Sequence, residues 1–123
     1  MSGASLEAKD HIDPLIHKPY LEELASAYAP PPFHRKDPLI SPLFADLRGF
    51  PPTLIQVGSS ETLLDDAVRF ARAAGLADVN VTLEVWPHMI HAWPMWNAKL
   101  AEGREALARA GEFMKRWVRS QPA

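Results

Sequence analysis

Two short stretches of this 123-residue chain carry the side chains best suited to proton transfer. The first is Val57-Gly58-Ser59-Ser60-Glu61-Thr62-Leu63-Leu64-Asp65-Asp66, and the second is Glu84-Val85-Trp86-Pro87-His88-Met89-Ile90-His91-Ala92-Trp93. Each begins where an apolar run that reads as a strand ends. Acids at one strand end and an imidazole at a later one are the groups that general acid–base catalysis uses. His91 is the candidate base; Glu61 and Asp65, one helical turn apart, are the candidate acids. The bland readings stand beside these. Glu61 and Asp65 near a helix start also stabilise that end of the helix dipole. Asp66 reads as solvent-facing, and His11, His17 and His34 as surface residues. His88 and His91 share metal-ligand spacing, but no Cys or acid at ligand spacing completes a zinc set. Ser59 and Ser60 lie beside the acid, yet nothing around them fixes a strained elbow or an oxyanion hole.

The elements that must position these groups follow from the apolar pattern. Thr53-Leu54-Ile55-Gln56-Val57 is a nearly all-apolar run behind Pro51-Pro52, the pattern of a strand buried on both faces of a helix-covered parallel sheet. Residues 64–74 read as a helix with Leu64, Val68, Ala71 and Phe70 inward and Gly75 as its C′ residue. Residues 79–86 form a second strand. Residues 93–119 are mostly helix, with Leu107, Ala110, Met114, Trp117 and Val118 on one stripe. Gly103 and Gly111 weaken that helix by roughly 1 kcal/mol each relative to alanine. Upstream, Ser5 is placed to cap a short helix through Asp10 that Asp13-Pro14 breaks. Pro19 suits the first turn of another helix, with Leu21, Leu24, Ala25 and Tyr28 on one face and Pro30-Pro31-Pro32 at its end. Residues 33–50 are mostly loop, with a turn at Arg48-Gly49. Helix, strand, helix, strand, helix argues for an α/β fold with a parallel sheet. Two strands are too few for a stable sheet, and an apolar strand lacking a neighbour favours pairing with another chain. Self-association is therefore expected.

Composition narrows the class. Hydrophobic residues make up 47% and charged residues 23%, which fits one globular domain with a modest core. The net charge of −2, without a basic run, gives nucleic-acid binding no electrostatic support. No apolar run approaches the roughly 18 residues of a membrane span. No apolar segment follows a basic start in residues 1–20, so no signal peptide is expected. The absence of cysteine excludes disulfides and thiolate chemistry and suits a reducing compartment, so a cytoplasmic location is expected.

With strand, acid, helix, strand, histidine and helix in place, further motifs come into view. They are Asp13-Pro14, Asp37-Pro38-Leu39-Ile40-Ser41-Pro42-Leu43, Pro51 through Gly58, Glu61 through Asp66, and Trp86 through Trp93. Together they resemble the C-terminal third of bacterial carboxylesterases of the hormone-sensitive-lipase-like family, most of all members with a G-T-S-A-G nucleophile motif. The resemblance implies an α/β-hydrolase fold, of which residues 1–123 form a single partial domain. Residues 1–50 supply helices and a Pro-rich connection, and 51–123 supply strand-helix-strand-helix. It implies a serine hydrolase of short-chain esters that needs no cofactor or metal. His91 would be the general base, and Glu61 or Asp65 would hold its tautomer. Trp86, Trp93, Trp96 and Met89 would line either an acyl pocket or, more commonly for such residues, the core. Neither H-G-G nor G-x-S-x-G occurs in the 123 residues. The expected partners are thus a small ester and either further copies of the chain or the missing N-terminal part of the fold. The alternative expectation is a catalytically silent, self-associating domain or a binding module.

Overall fold

A computed structural model describes residues 2–118. The chain forms two compact units, one through His91 and one from Ala92 onward. In the first unit, β1 (Thr53–Gly58) and β2 (Val81–Trp86) pair in parallel, from Thr53 opposite Val81 to Gly58 opposite Trp86. Helix α3 (Leu64–Leu76) connects them and packs on both. This is the βαβ unit that the alternation of apolar runs predicts. Among the described residues the sheet has only these two strands, so each strand keeps one unpaired edge.

The packing departs from the sequence reading in instructive ways. The β1 strand is not buried on both faces; only Val57 and Gly58 at its C-terminal end are buried. Helix α3 buries Ala71 and Ala74 rather than Val68, and it runs through Gly75 to Leu76 instead of ending there. Its small-residue face lies against Leu47 and Val79, with Phe70, Ala73, Ala77 and Val81 around that cluster. Phe50 meets Phe70 edge-on at a centroid distance of 6.2 Å, an arrangement favoured by the ring quadrupoles.

Two short helices precede the sheet: α1 (Ser5–Ala8) and α2 (Lys18–Tyr28). Pro19 sits in the first turn of α2 as expected, and the His17 imidazole caps it by accepting the Tyr20 N–H. Ser5 does not cap α1. It lies inside that helix, buried, and its hydroxyl is used elsewhere. No residue of α2 is fully buried, and Leu24 and Tyr28 of its apolar face remain exposed. The loop 33–50 contains a 3₁₀ turn at Pro42–Phe44 and the turn at Arg48-Gly49, where Gly49 takes φ +76°.

In the second unit a 3₁₀ turn, Trp93–Trp96, precedes α4 (Ala101–Val118). Leu107, Met114 and Val118 of the expected stripe are exposed, and Gly103 and Ala106 are the buried positions. The reason is close approach. A Cβ on Gly103 would stand 3.1 Å from Asn97 Cα and 3.2 Å from the Trp93 carbonyl oxygen, so glycine lets α4 reach the 3₁₀ turn. Arg119 and the residues after it lie outside the described residues. No helix among the described residues is long and apolar enough to cross a membrane.

Candidate active site

The C-terminal ends of β1 and β2 lie side by side because the strands are parallel and in register. Ligand sites in open α/β sheets lie at such strand ends. The loops leaving them are laced together. Ser59 N–H donates to the Trp86 carbonyl at 2.8 Å, and Ser60 N–H donates to the Met89 carbonyl at 3.0 Å. The Ser59 hydroxyl oxygen accepts the His88 N–H at 2.8 Å, where His88 takes the left-handed conformation with φ +62°. Gly58 makes this lacing possible, since a Cβ there would lie 2.1 Å from the Met89 carbonyl oxygen.

This lacing brings two of the three predicted site residues together. Glu61 is 4% exposed, and its Oε1 lies 3.3 Å from His91 Nδ1. Its other oxygen, Oε2, accepts the Gly58 N–H at 2.9 Å. A buried carboxylate needs such partners to offset its lost hydration. The His91 side chain is 35% exposed, so its ring has an open side. A contact of 3.3 Å is long for a hydrogen bond, as is common at catalytic sites without substrate. Asp65 is held elsewhere. Its Oδ2 accepts the Ala4 N–H at 2.9 Å and lies 4.0 Å from Arg69. Asp66 lies 3.6 Å from Arg69 on the same helix. Burial pushes the Asp66 carboxyl up and its neighbour Asp65 adds to this, while Arg69 pulls the other way. Among the described residues no group of three His, Cys, Asp or Glu side chains is placed to hold a metal ion. A cavity of about 570 Å³ in the first unit is lined by Leu6, Leu21, Ala25, Ile40 and Leu63, but by neither Glu61 nor His91.

The sequence reading gave no role to Asp13 and Thr62. Asp13 is buried and accepts backbone N–H groups from Leu15 and Ile16 on Oδ1 and from Thr62 on Oδ2. Thr62, beside Glu61, is fully buried. The signals in the sequence are Asp13-Pro14, which reads as a helix stop, and the motifs of the family resemblance that include both residues. Burial pushes the Asp13 carboxyl up, but hydrogen bonds from Ile16, Leu15 and Thr62 outweigh it and hold it below the usual aspartate range. Such a group adds stability above its unfolded pKa of about 3.9. That stability is lost as pH falls through the lower folded value. Urea midpoints should therefore drop on the acid side of pH about 4, and Asp13→Asn should flatten that part of the profile.

Residues 2–95 match the family model described as the alpha/beta hydrolase fold. The chain belongs to the α/β-hydrolase fold family. It is 42% identical over 115 residues to an acetyl-hydrolase of Streptomyces hygroscopicus, covering 92% of this chain and 38% of that protein. It is 40% identical over 113 residues to an esterase of Acinetobacter venetianus, covering 92% of this chain and 37% of that one. A crystal structure of an esterase from the bacterial hormone-sensitive lipase family superposes with a TM-score of 0.92 at 41% identity, over 95% of this chain and 39% of that one. The chain thus spans under two fifths of the length of these family members. The α/β-hydrolase fold expected from the sequence is the fold found, with two strands of an open sheet among the described residues.

Proposed function

We propose that this chain supplies the acid–base half of a carboxylic-ester hydrolase site. The observation that carries the reading is the 3.3 Å contact between Glu61 Oε1 and His91 Nδ1, made across the ends of two neighbouring strands. In this arrangement Glu61 keeps the proton on Nδ1 and leaves Nε2 free to take a proton from a serine nucleophile. The imidazolium then returns that proton to the leaving alkoxide, and a water repeats the cycle on the acyl-enzyme. The serine and the oxyanion donors come from outside this chain, whose sequence holds neither G-x-S-x-G nor H-G-G. Asp65, committed to Ala4 N–H and Arg69, is the weaker candidate for the acid. The esterase and acetyl-hydrolase relatives support short-chain esters as the substrate class, and one similar esterase crystal was soaked with p-nitrophenyl butyrate.

The test is a chimera in which this chain replaces the matching segment of the Streptomyces acetyl-hydrolase. It should hydrolyse p-nitrophenyl acetate, and His91→Ala should lower kcat by about 10³-fold or more. An inactive but folded chimera would count against the reading. The chain alone, assayed beside its His91→Ala variant, should show no difference in turnover.

A second reading, a silent self-associating domain, is favoured by the two unpaired strand edges and by exposed apolar side chains such as Tyr28, Phe33 and Leu39. Unpaired edges recruit further strands. Light scattering should give a mass above the 13.7 kDa of one chain, and a monomer at micromolar concentration would count against self-association.

A further inference from the structure

Thr62, the residue after Glu61, is held by every polar group it has. Its N–H donates to Asp13 Oδ2 at 3.0 Å, and its carbonyl accepts the Ser5 hydroxyl at 2.6 Å. Its own hydroxyl donates to the Ile16 carbonyl at 3.1 Å and lies 3.4 Å from Asp13 Oδ2. All of these partners lie 46 to 57 residues earlier in the chain. Ser5 makes a second bond: its oxygen accepts the Asp65 N–H at 2.8 Å, while Asp65 Oδ2 accepts the Ala4 N–H at 2.9 Å. The two bonds resemble a capping box, but the second donor is Ala4 rather than Ser5 and the partners are distant in sequence. They serve an α3 N-terminus whose own N-cap, Leu63, has no side chain able to cap. Ser5, Asp13 and Thr62 are all buried. A surface decoration has no need of a buried carboxylate with three backbone donors.

We propose that Ser5 and Asp13 are positioning residues for the acid: by gripping the Thr62 peptide groups from both sides they hold Glu61 where its carboxylate meets His91. The inference rests on the Glu61–His91 reading above. Glu61 sits in the short turn between β1 and α3. One end of that turn is fixed by the Gly58 N–H bond to Glu61 Oε2. The other is fixed by Ser5 and Asp13, so the carboxylate has little freedom to swing away from the imidazole. Asp13→Asn removes the symmetry of the grip. One oxygen of the amide keeps Leu15 and Ile16 or keeps Thr62, and the amide NH₂ meets a donor on the side it faces.

The test reads the imidazole in the full chain. With isotopically labelled histidine and the five imidazoles separated by NMR, His91→Ala assigns the His91 signals. At mildly alkaline pH the wild type should show the Nδ1–H tautomer at His91, and Glu61→Ala should abolish it. Ser5→Ala and Asp13→Asn should each shift His91 away from the Nδ1–H form, and Ser5→Thr, which keeps the hydroxyl, should restore it. Leu47→Ala, which weakens the α3 core elsewhere, should leave the tautomer unchanged. If Asp13→Asn does not fold, Ser5→Ala decides, since it removes one atom. A wild-type tautomer in folded Ser5→Ala, with Glu61→Ala showing its loss, overturns the positioning role and leaves the acid–base pair standing. No change in Glu61→Ala overturns the pair and the positioning role together.

Discussion

In the acetyl-hydrolase chimera, Glu61→Gln is expected to lower kcat for p-nitrophenyl acetate by roughly 10⁴-fold, while Asp65→Asn leaves it nearly unchanged. The size follows from which way the amide must point. Glu61 Oε2 accepts the Gly58 N–H. A glutamine keeps that bond only by placing its carbonyl oxygen there, because its NH₂ against an N–H would leave two donors facing each other. The NH₂ then faces His91 Nδ1, where Oε1 now lies. The imidazole must accept through Nδ1 and carry its proton on Nε2, the nitrogen that has to receive the serine proton. The substitution is nearly isosteric, so KM and fold should change little. Asp65→Asn retains a carbonyl oxygen for the Ala4 N–H. Steady-state kinetics of the two variants side by side settle the assignment. A large loss in Asp65→Asn with Glu61→Gln unaffected would move the acid to Asp65.

Gly58→Ala is expected to cost about 3 kcal/mol, the upper end of overpacking penalties, or roughly 10 °C in the melting midpoint for a chain of this size. The new methyl would sit 2.1 Å from the Met89 carbonyl oxygen and 2.6 Å from its carbon. Neither atom is the free end of a side chain. Met89 O is itself held by the Ser60 N–H, so the backbone cannot retreat without breaking that bond. The methyl would also press on Glu61 Oε2 at 3.1 Å. Gly111→Ala is the matched control: nothing lies within 4 Å of its added Cβ, and the helix should gain up to about 1 kcal/mol. Melting curves by circular dichroism compare the two. Equal midpoints would mean that the strand-end loops yield more easily than their hydrogen bonds suggest.

The features legible in the sequence are those written in local periodicity. The β1 strand begins at Thr53 as read, α3 begins at Leu64, and His91 lies five residues past the end of β2 at Trp86. Glu61 and His91 were both singled out from their places beyond strand ends. The misjudged faces were those where helical spacing alone had to decide burial. In α4, Leu107 and Met114 carry the larger apolar side chains, yet Gly103 and Ala106 are buried, and at Gly103 the close approach of the 3₁₀ turn leaves no room for a side chain. Asp13 and Ser5 escaped for a different reason. Their shared partner, Thr62, is some 50 residues away, and a turn-forming Asp-Pro or a helix-start serine looks the same whether its oxygens serve only their own turn or a distant one as well.

The grip on Thr62 also bears on the order in which the molecule assembles. The β1–α3–β2 unit closes over a separation of 28 residues between paired positions such as Gln56 and Glu84. The bonds from Ser5 and Asp13 span 57 and 49 residues. The entropic cost of closing a loop rises with its length, if slowly, and non-local contacts tend to form late. The sheet can therefore form before the Glu61 turn is locked, and that turn should be among the last parts to become native. Such a chain would hold a finished strand pair while the Glu61 turn was still being set.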